Sequence, residues 1–430
     1  MLRSKILTYL LIIVFALAGV NPACTQETLA WEDCVIEARA NNPELFSAKE
    51  KVRQARSDKD IAMGAMLPQV ISDAEGKRGK APKKQKESNT YSYGFSGEQL
   101  AFDGFKTAAD VGSAFKTINA EEYNYAVTSS NIRLFLKTAF TAILRAQDLI
   151  FLTEDIARRR KQNRELVKLR YDAGREHKGA LLTAQADLAQ AEFEISQAKR
   201  NLLLTQHELS KELGRQKFTP VEVKGNFETE QTYSEKPDME HLAENTPFLR
   251  ALIAKKDAAR LNYASAQSEF FPKVFLDASY SDTASETKWP IKDSDKAWYA
   301  GVSISFPIFE GGTRIAQTSK TRSQWKESQA NERNGHDTVI VTLERAWKDL
   351  QDALEDVSVK RQFVIATEER AKISSAQYST GLVSFDNWII IENDLVIAKK
   401  AYLNAQANFL IAEAYWLQAK GVTLNETTGQ

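Results

Sequence analysis

Two cysteines, 10 prolines and 19 glycines in 430 residues leave this chain short of everything that staples, breaks or bends a backbone. Cys24 and Cys34 alone exclude a multi-disulfide scaffold. Sparse proline and glycine permit very long uninterrupted elements and leave few linkers. Charge of one sign is also missing: Lys plus Arg equals Asp plus Glu at 57 each, so no overall field favours nucleic acid or an acidic partner. Beyond the first residues there is no apolar run near the roughly 20 needed for a spanning helix, so a membrane crossing has to use β-strands. The four histidines, His177, His207, His241 and His336, are scattered without carboxylate or cysteine at ligand spacing. No nucleophile elbow, phosphate-binding glycine loop or zinc spacing is present, so no enzyme, cofactor or metal site is expected.

What is there begins with Arg3 and Lys5 ahead of an apolar run from Ile6 to Val20, the layout of a secretory signal over residues 1–25. Ala23 before Cys24 suits a lipidation site, whereas Asn21 stands where Leu is usual. Lipid attachment at Cys24 and ordinary cleavage, for instance after Ala18, both remain open.

The rest of the chain is written twice. Asn42-Pro43-Glu44-Leu45 recurs as Thr246-Pro247-Phe248-Leu249, and Leu67-Pro68-Gln69-Val70 as Phe271-Pro272-Lys273-Val274, both 204 residues on. Phe102-Asp103-Gly104 recurs as Phe309-Glu310-Gly311, Tyr171-Asp172-Ala173-Gly174 as Tyr378-Ser379-Thr380-Gly381, and Leu213-Gly214 faces Lys420-Gly421, all 207 on. Two equivalent halves follow, 27–215 and 239–421, with a connector at 216–238 carrying Pro220, Gly225 and Pro237, and a tail at 422–430.

Each half reads as helix, hairpin, long helix, turn, helix. Trp388, Leu395, Tyr402, Phe409 and Trp416 are seven apart, with Ile391, Ala398, Ala405, Ala412 and Ala419 three residues behind them, the seam of a coiled coil. Leu181, Leu188, Ile195, Leu202 and Leu209 repeat it in the first half. A second stripe, Ile389, Val396, Leu403, Leu410 and Leu417, asks for neighbours on two sides. The preceding helices run from about Lys106 to Arg170 and from about Arg314 to Gln377 without proline. Between them the period drops to two: Tyr91, Tyr93 and Phe95 alternate with Ser92, Gly94 and Ser96, and Trp298, Ala300, Val302, Ile304, Phe306 and Ile308 with Tyr299, Gly301, Ser303 and Ser305. Hairpins at 67–102 and 271–309 with one apolar and one small polar face fit lipid outside and water inside. Gly76 to Glu87, rich in lysine, becomes the loop of the first hairpin, facing lipid-head phosphates or merely solvent. Two hairpins give four strands, too few to close a barrel, so the reading demands an oligomer.

These residues resemble a known family. Phe306-Pro307-Ile308-Phe309-Glu310-Gly311-Gly312 is similar to the strand-to-helix passage of TolC-like outer-membrane efflux proteins, and Leu100-Ala101-Phe102-Asp103-Gly104-Phe105 to its first-half counterpart. Tyr171-x-x-Gly174 and Tyr378-x-x-Gly381 resemble the family's helical-hairpin tips, and Asn42-Pro43-Glu44-Leu45 its opening helix. The resemblance implies a mainly α protein with a membrane β-barrel contribution: a homotrimer, four strands per protomer in a 12-stranded barrel, and a trimeric α-barrel of coiled-coil helices. It implies a passive tunnel in a tripartite efflux or type I secretion system of a Gram-negative bacterium, set in outer-membrane lipid and reaching into the periplasm. Partners would be a periplasmic adaptor at the tips and an inner-membrane transporter. The alternative is a periplasmic coiled-coil adaptor or scaffold.

The tip turns at 171–180 and 378–386 are the candidate docking and gating sites, with Arg170, Tyr171, Gly174, Tyr378, Gly381, Val383, Phe385, Asp386 and Asn387. The two tyrosines either cap the coiled-coil seam or dock and gate. Relatives tie this end shut with an Arg two residues after the Gly and with Asp further on; here Val383, Asn387 and Ile390, and Glu176, Ala180 and Thr183, stand there instead. A charged lock is therefore not expected, and closure falls to packing of Tyr378, Val383 and Phe385, or to Asp386. Lipidation is decided by labelling with palmitate: incorporation that disappears in Cys24→Ser establishes it, and none in the unaltered protein excludes it.

Overall fold

A computed structural model describes residues 27–80, 87–227, 235–285 and 295–426. The leader, Cys24 and the lysines at 83, 84 and 86 lie outside the described residues.

In chain order the elements are β1 (Glu27–Leu29), α1 (Trp31–Asn41), α2 (Pro43–Gly64), β2 (Gln69–Lys80), β3 (Glu87–Phe102), α3 (Lys106–Asp172) and α4 (Lys178–Glu212). The connector supplies β4 (Val221–Val223), and the second half α5 (Met239–Asn245), α6 (Pro247–Ser268), β5 (Lys273–Ser285), β6 (Asp295–Ser305), α7 (Thr313–Thr380) and α8 (Phe385–Ala419). The duplication extends to the backbone. Gly104, Phe105, Gly174 and Gly214 have positive φ, and so do Gly311, Gly312, Gly381 and Gly421, each 207 residues later. Among the described residues, no helix is long and apolar enough to cross a membrane.

The chain forms two compact units, and both draw on both halves: one holds residues up to Asn42, Phe135–Gln231 and Ala353–Ile411, the other Pro43–Leu134, Thr232–Asp352 and from Ala412 onward. Helices α3 and α7 each contribute to both.

The second unit contains the four-stranded sheet, antiparallel throughout, in the order β2-β3-β5-β6. The two hairpins are joined by the central β3–β5 ladder, where Phe95 lies opposite Tyr280 and Gly97 opposite Ala278. Directly paired residues share a face, so Tyr93, Phe95, Leu276, Tyr280, Trp298, Val302 and Ile304 form one apolar side, and Ser92, Ser96, Asp277, Ser279 and Ser303 the other. A register shift between Leu100 and Phe102 brings Phe102 opposite Val274, onto the apolar side.

Two boundaries differ from the sequence reading. Gly76 to Lys80 belong to β2 and pair with residues of β3 rather than forming loop; Lys77 sits on the polar face and pairs with Glu75 at 2.8 Å, which lets the strand continue through the basic run. Strand β6 ends at Ser305, because Pro307 has no N–H to give a ladder, so Phe306 and Ile308 lie beyond it.

The helical layer follows the order of the strands it feeds. Arg56 of α2 pairs with Glu122 of α3 at 2.8 Å, Lys116 of α3 with Asp257 of α6 at 3.1 Å, and Lys256 of α6 with Glu332 of α7 at 2.7 Å. The layer is therefore α2-α3-α6-α7, matching β2-β3-β5-β6.

In the first unit the short strands β1 and β4 pair in parallel. Gln206 donates to Val221 O at 2.7 Å, and Gln147 both donates to Val223 O and accepts from Val223 N, at 3.2 and 3.0 Å. Side-chain amides thus complete the bonding that flanking strands would supply. The connector is partly built structure, and α1 and α5 are short helices preceding Asn42-Pro43 and Thr246-Pro247.

Gly104 and Gly174 share φ near 70° but not their surroundings. A Cβ on Gly104 would lie 2.5 Å from Phe271 Cβ and 2.9 Å from Ser268 O, whereas Gly174 faces open space. Gly174→Ala should cost about 1 kcal/mol, the ordinary left-handed penalty. Gly104→Ala should cost on the order of 3 kcal/mol once the clash is added. Thermal unfolding in detergent should show the larger loss for Gly104→Ala.

Candidate functional site

Both turns at the helix ends are built alike. Gly174 N donates to Tyr171 O at 2.9 Å and Arg175 N to Arg170 O at 2.8 Å; Gly381 N donates to Tyr378 O at 3.0 Å and Leu382 N to Gln377 O at 2.9 Å. This is the paired bonding that ends a helix on a left-handed glycine. Helix α4 then starts on His177, whose Nδ1 accepts from Ala180 N at 3.1 Å. The sequence reading left this histidine as an ordinary surface residue. Its cue was Gly-x-x-His just before an apolar period.

The two tips are packed into one cluster. Val167, Ala180, Ala184, Tyr378, Phe385, Trp388 and Ile389 are buried together, with Val383 against them. Tyr378 stacks on Trp388, 4.2 Å between centroids and 9° between planes. On its other side lies Arg170, 4.7 Å from the ring centroid, whose Nη1 donates to Tyr378 O at 2.7 Å. The Tyr378 hydroxyl donates to Glu176 Oε2 at 2.9 Å. Burial, then the hydrogen bond to Glu176, pushes the phenol well above its usual value. Its proton is held more tightly folded than unfolded, so the stabilisation is full at neutral pH and declines only above the ordinary phenol range near 10.

Within the protomer the tip carries polar contacts beside the packing of Tyr378, Val383 and Phe385. Glu176 and Arg170 tie the second hairpin to the first through Tyr378. Asp386, the charged alternative, is exposed, as is Asn387. Tyr378 and Phe385 are buried inside one protomer, whereas Tyr171, at the matching place of the first tip, is exposed.

Above the tip lies a network the sequence reading missed. Glu392, only 2% exposed, accepts from Arg159 Nε and Nη2 at 2.6 and 2.7 Å and from Asn163 Nδ2 at 3.2 Å. Arg160 Nη2 donates to Asn393 Oδ1. Hydrogen bonds to Glu392 hold Arg159 firmly protonated. The partners are 233 residues apart, and nothing local marks them.

The strand-to-helix motifs form the second set of predicted residues. Asp103 is buried, and its Oδ2 accepts from Thr107 N at 2.8 Å and from the Thr107 hydroxyl, capping α3. Glu310, one methylene longer, reaches Arg314 instead at 2.8 Å, which together with Lys273 keeps its carboxyl below the usual range despite some desolvation. Gly311 and Gly312 take positive φ, and Phe105 stands at 70° where the second copy has Gly312. Phe102 meets Phe105 edge-on at 5.7 Å, while Phe309 is fully open to solvent beside Pro307. Among the described residues, no group of three or more His, Cys, Asp or Glu could hold a metal ion.

This geometry has known counterparts. The family of outer membrane efflux proteins matches residues 35–215 and 239–422. The chain belongs to that family. It is 23% identical to the outer membrane efflux protein BepC of Brucella suis over 93% of this chain and 86% of that one. To the outer membrane protein TolC of Vibrio cholerae it is 23% identical, over 96% and 94%. The crystal structure of a membrane protein from Pseudomonas aeruginosa shares the fold, with a TM-score of 0.82 at 18% identity, covering 90% of this chain and 92% of that one. The protein is thus an outer-membrane efflux protein of the Gram-negative type, and its relatives are channels rather than enzymes.

Glu392→Ala leaves Arg159 and Asn163 facing an empty space and should cost on the order of 2–3 kcal/mol. Glu392→Gln, which keeps the shape and one acceptor, should lose less. Urea unfolding of the detergent-solubilised protein gives the order; equal midpoints for Glu392→Ala and the unaltered protein contradict it.

Proposed function

We propose that this protein is the outer-membrane channel of a tripartite export assembly, a passive conduit formed by three copies. The observation that carries the reading is the four-stranded sheet with one apolar and one small polar face, open at both edges, β2 and β6. Buried in hydrocarbon, open edges would leave unpaired N–H and C=O groups at several kcal/mol each, so the sheet has to close on copies of itself. Three copies supply 12 strands, the number the family resemblance implies, with the serine-lined face turned to the lumen.

The long helices feeding the sheet then form the periplasmic part of the conduit, and their tips face a periplasmic adaptor and, through it, an inner-membrane transporter. Exposed Leu382, Asp386 and Asn387 surround the second turn and are available to such a partner, whereas Tyr378 and Phe385 are already committed within the protomer. Opening this end requires the second hairpin to part from the first, and the bonds that oppose it are Tyr378 to Glu176 and Arg170 to Tyr378 O.

Single-channel recording in planar bilayers, on material whose oligomeric mass is known, tests the conduit. Discrete steps from a trimer support it; a monomer that never inserts refutes it. Tyr378→Phe removes one bond and Val383→Asp places like charges at the packed tip, and each should raise the conductance or open time of the closed end. Unchanged currents in both variants count against gating at this place.

A further inference from the structure

Arg160 of α3 stands between two other helices and is only half satisfied by them. It is 8% exposed. Its Nη2 donates to Asn393 Oδ1 of α8, while its Nη1 lies 3.7 Å from Asp187 Oδ2 of α4. Nη1 and Oδ2 are both buried, and neither has a hydrogen-bond partner among the described residues. Glu194, one heptad after Asp187 on α4, is already taken, accepting from Lys400 of α8 at 2.6 Å. One turn away Ile156, Ala157 and Ala191 pack together with Val396 against them. In such apolar surroundings a guanidinium that loses its acceptor is costly.

The pairing is the reverse of what charge alone favours. A guanidinium bonds a carboxylate more strongly than it bonds a neutral amide, at a length near 2.8 Å, so Asp187 stands about 1 Å short of the stronger bond. The neutral acceptor belongs to the second helical hairpin, α7 and α8, and the charged one to the first, α3 and α4, which carries Arg160 itself. Arg159, one residue earlier, differs: it makes both of its bonds to Glu392 of α8.

We propose that Arg160 exchanges partners when the tip opens: it holds Asn393 of the second hairpin in the closed state and turns to Asp187 of its own hairpin as the second one leaves. The proposal rests on the reading above that opening parts the two hairpins, and it adds the group that lowers the cost of parting. Arg159 and Asn163 oppose the motion, because Glu392 departs with α8 and loses both. Arg160 acts the other way, since the bond it gains is stronger than the bond it gives up. Arg160 and Asp187 remain side by side on the first hairpin, so closing the gap of about 1 Å needs only a turn of the guanidinium.

Alkylation of a cysteine placed in the tip cluster tests the exchange. Val167 is 0% exposed in the cluster that joins the two hairpins. In detergent-solubilised Val167→Cys the new thiol therefore reacts only while the cluster is open, and its rate follows the open fraction. Ala184→Cys, 3% exposed in the same cluster, is the second probe should Val167→Cys not fold. Cys34 is buried and belongs to the common background. Asn393→Ala removes a bond made only in the closed state and should raise the rate several-fold. Asp187→Asn removes the acceptor that serves the open state and should lower it roughly tenfold, the worth of one hydrogen bond to a charged group. Asn393→Asp, which puts a carboxylate on the second hairpin, should lower it too. A protein merely weakened by the lost charge would label faster, so slowing by Asp187→Asn is the decisive sign. Tyr378→Phe serves as the control for parting. If it speeds labelling while Asp187→Asn speeds it or leaves it unchanged, the exchange is overturned and the parting stands; if none of the variants, Tyr378→Phe included, changes the rate, both are overturned.

Discussion

The ladder between β3 and β5 is the contact on which the molecule depends. It is the only pairing that joins the two hairpins among the described residues, and without it each hairpin would be a two-stranded ribbon, marginal in water and impossible in lipid. Once it forms, the order of the helices follows. Each strand is covalently continuous with one helix, so the order β2-β3-β5-β6 dictates α2-α3-α6-α7, and the ion pairs between successive helices record that order. The same ladder turns two hairpins into one sheet with two open edges, β2 and β6.

Duplication gave the halves one backbone, and their side chains have diverged where the surroundings differ. Tyr171 and Tyr378 end equivalent helices, yet only Tyr378 is enclosed, because Phe385 and Trp388 occupy places held by Lys178 and Leu181 in the first copy. Asp103 caps its helix directly while Glu310 reaches past the cap to an arginine. The left-handed position after Gly104 is filled by Phe105, which gains the Phe102 ring, whereas its counterpart Gly312 avoids the penalty altogether. Helix α8 buries Ile389, Leu403 and Leu410 on its second stripe, and the matching positions of α4, Leu182, Ser196 and Leu203, are exposed. The second helix of the duplicated pair is enclosed on two sides and the first on one.

What could be read from the sequence was periodic or repeated. Heptads through Trp388 and Trp416, alternation through Trp298 and Ile304, and tyrosine-glycine turns 207 residues apart are each local signals, and repetition doubled them. What escaped was short or distant. Strands β1 and β4 have three residues each, too few to show a period, and they are completed by Gln147 and Gln206 from helices. Glu392 looks like any surface glutamate until Arg159 is placed beside it. The basic run beginning at Gly76 reads as loop because lysine is poor in strands, yet Lys77 faces the polar side and Glu75 neutralises it. Glu176 was visible but set aside, since comparing tip positions one at a time does not reveal that Tyr378 reaches across to it.

The pair between α3 and α8, Arg159 with the buried Glu392, bears on how those two helices align. An apolar heptad seam is almost indifferent to a slip of seven residues, since Leu395 can replace Trp388 in register at modest cost. Such a slip would leave Glu392 buried without its two donors, Arg159 and Asn163, a loss that no gain in packing offsets. The pair therefore fixes the register of α8 on α3 one turn above the aromatic cluster. Below it the helices are joined by the Tyr378 hydroxyl, the Arg170 guanidinium and stacked rings. The ion pair is a poor source of stability and a good reference point for the alignment of the two helices.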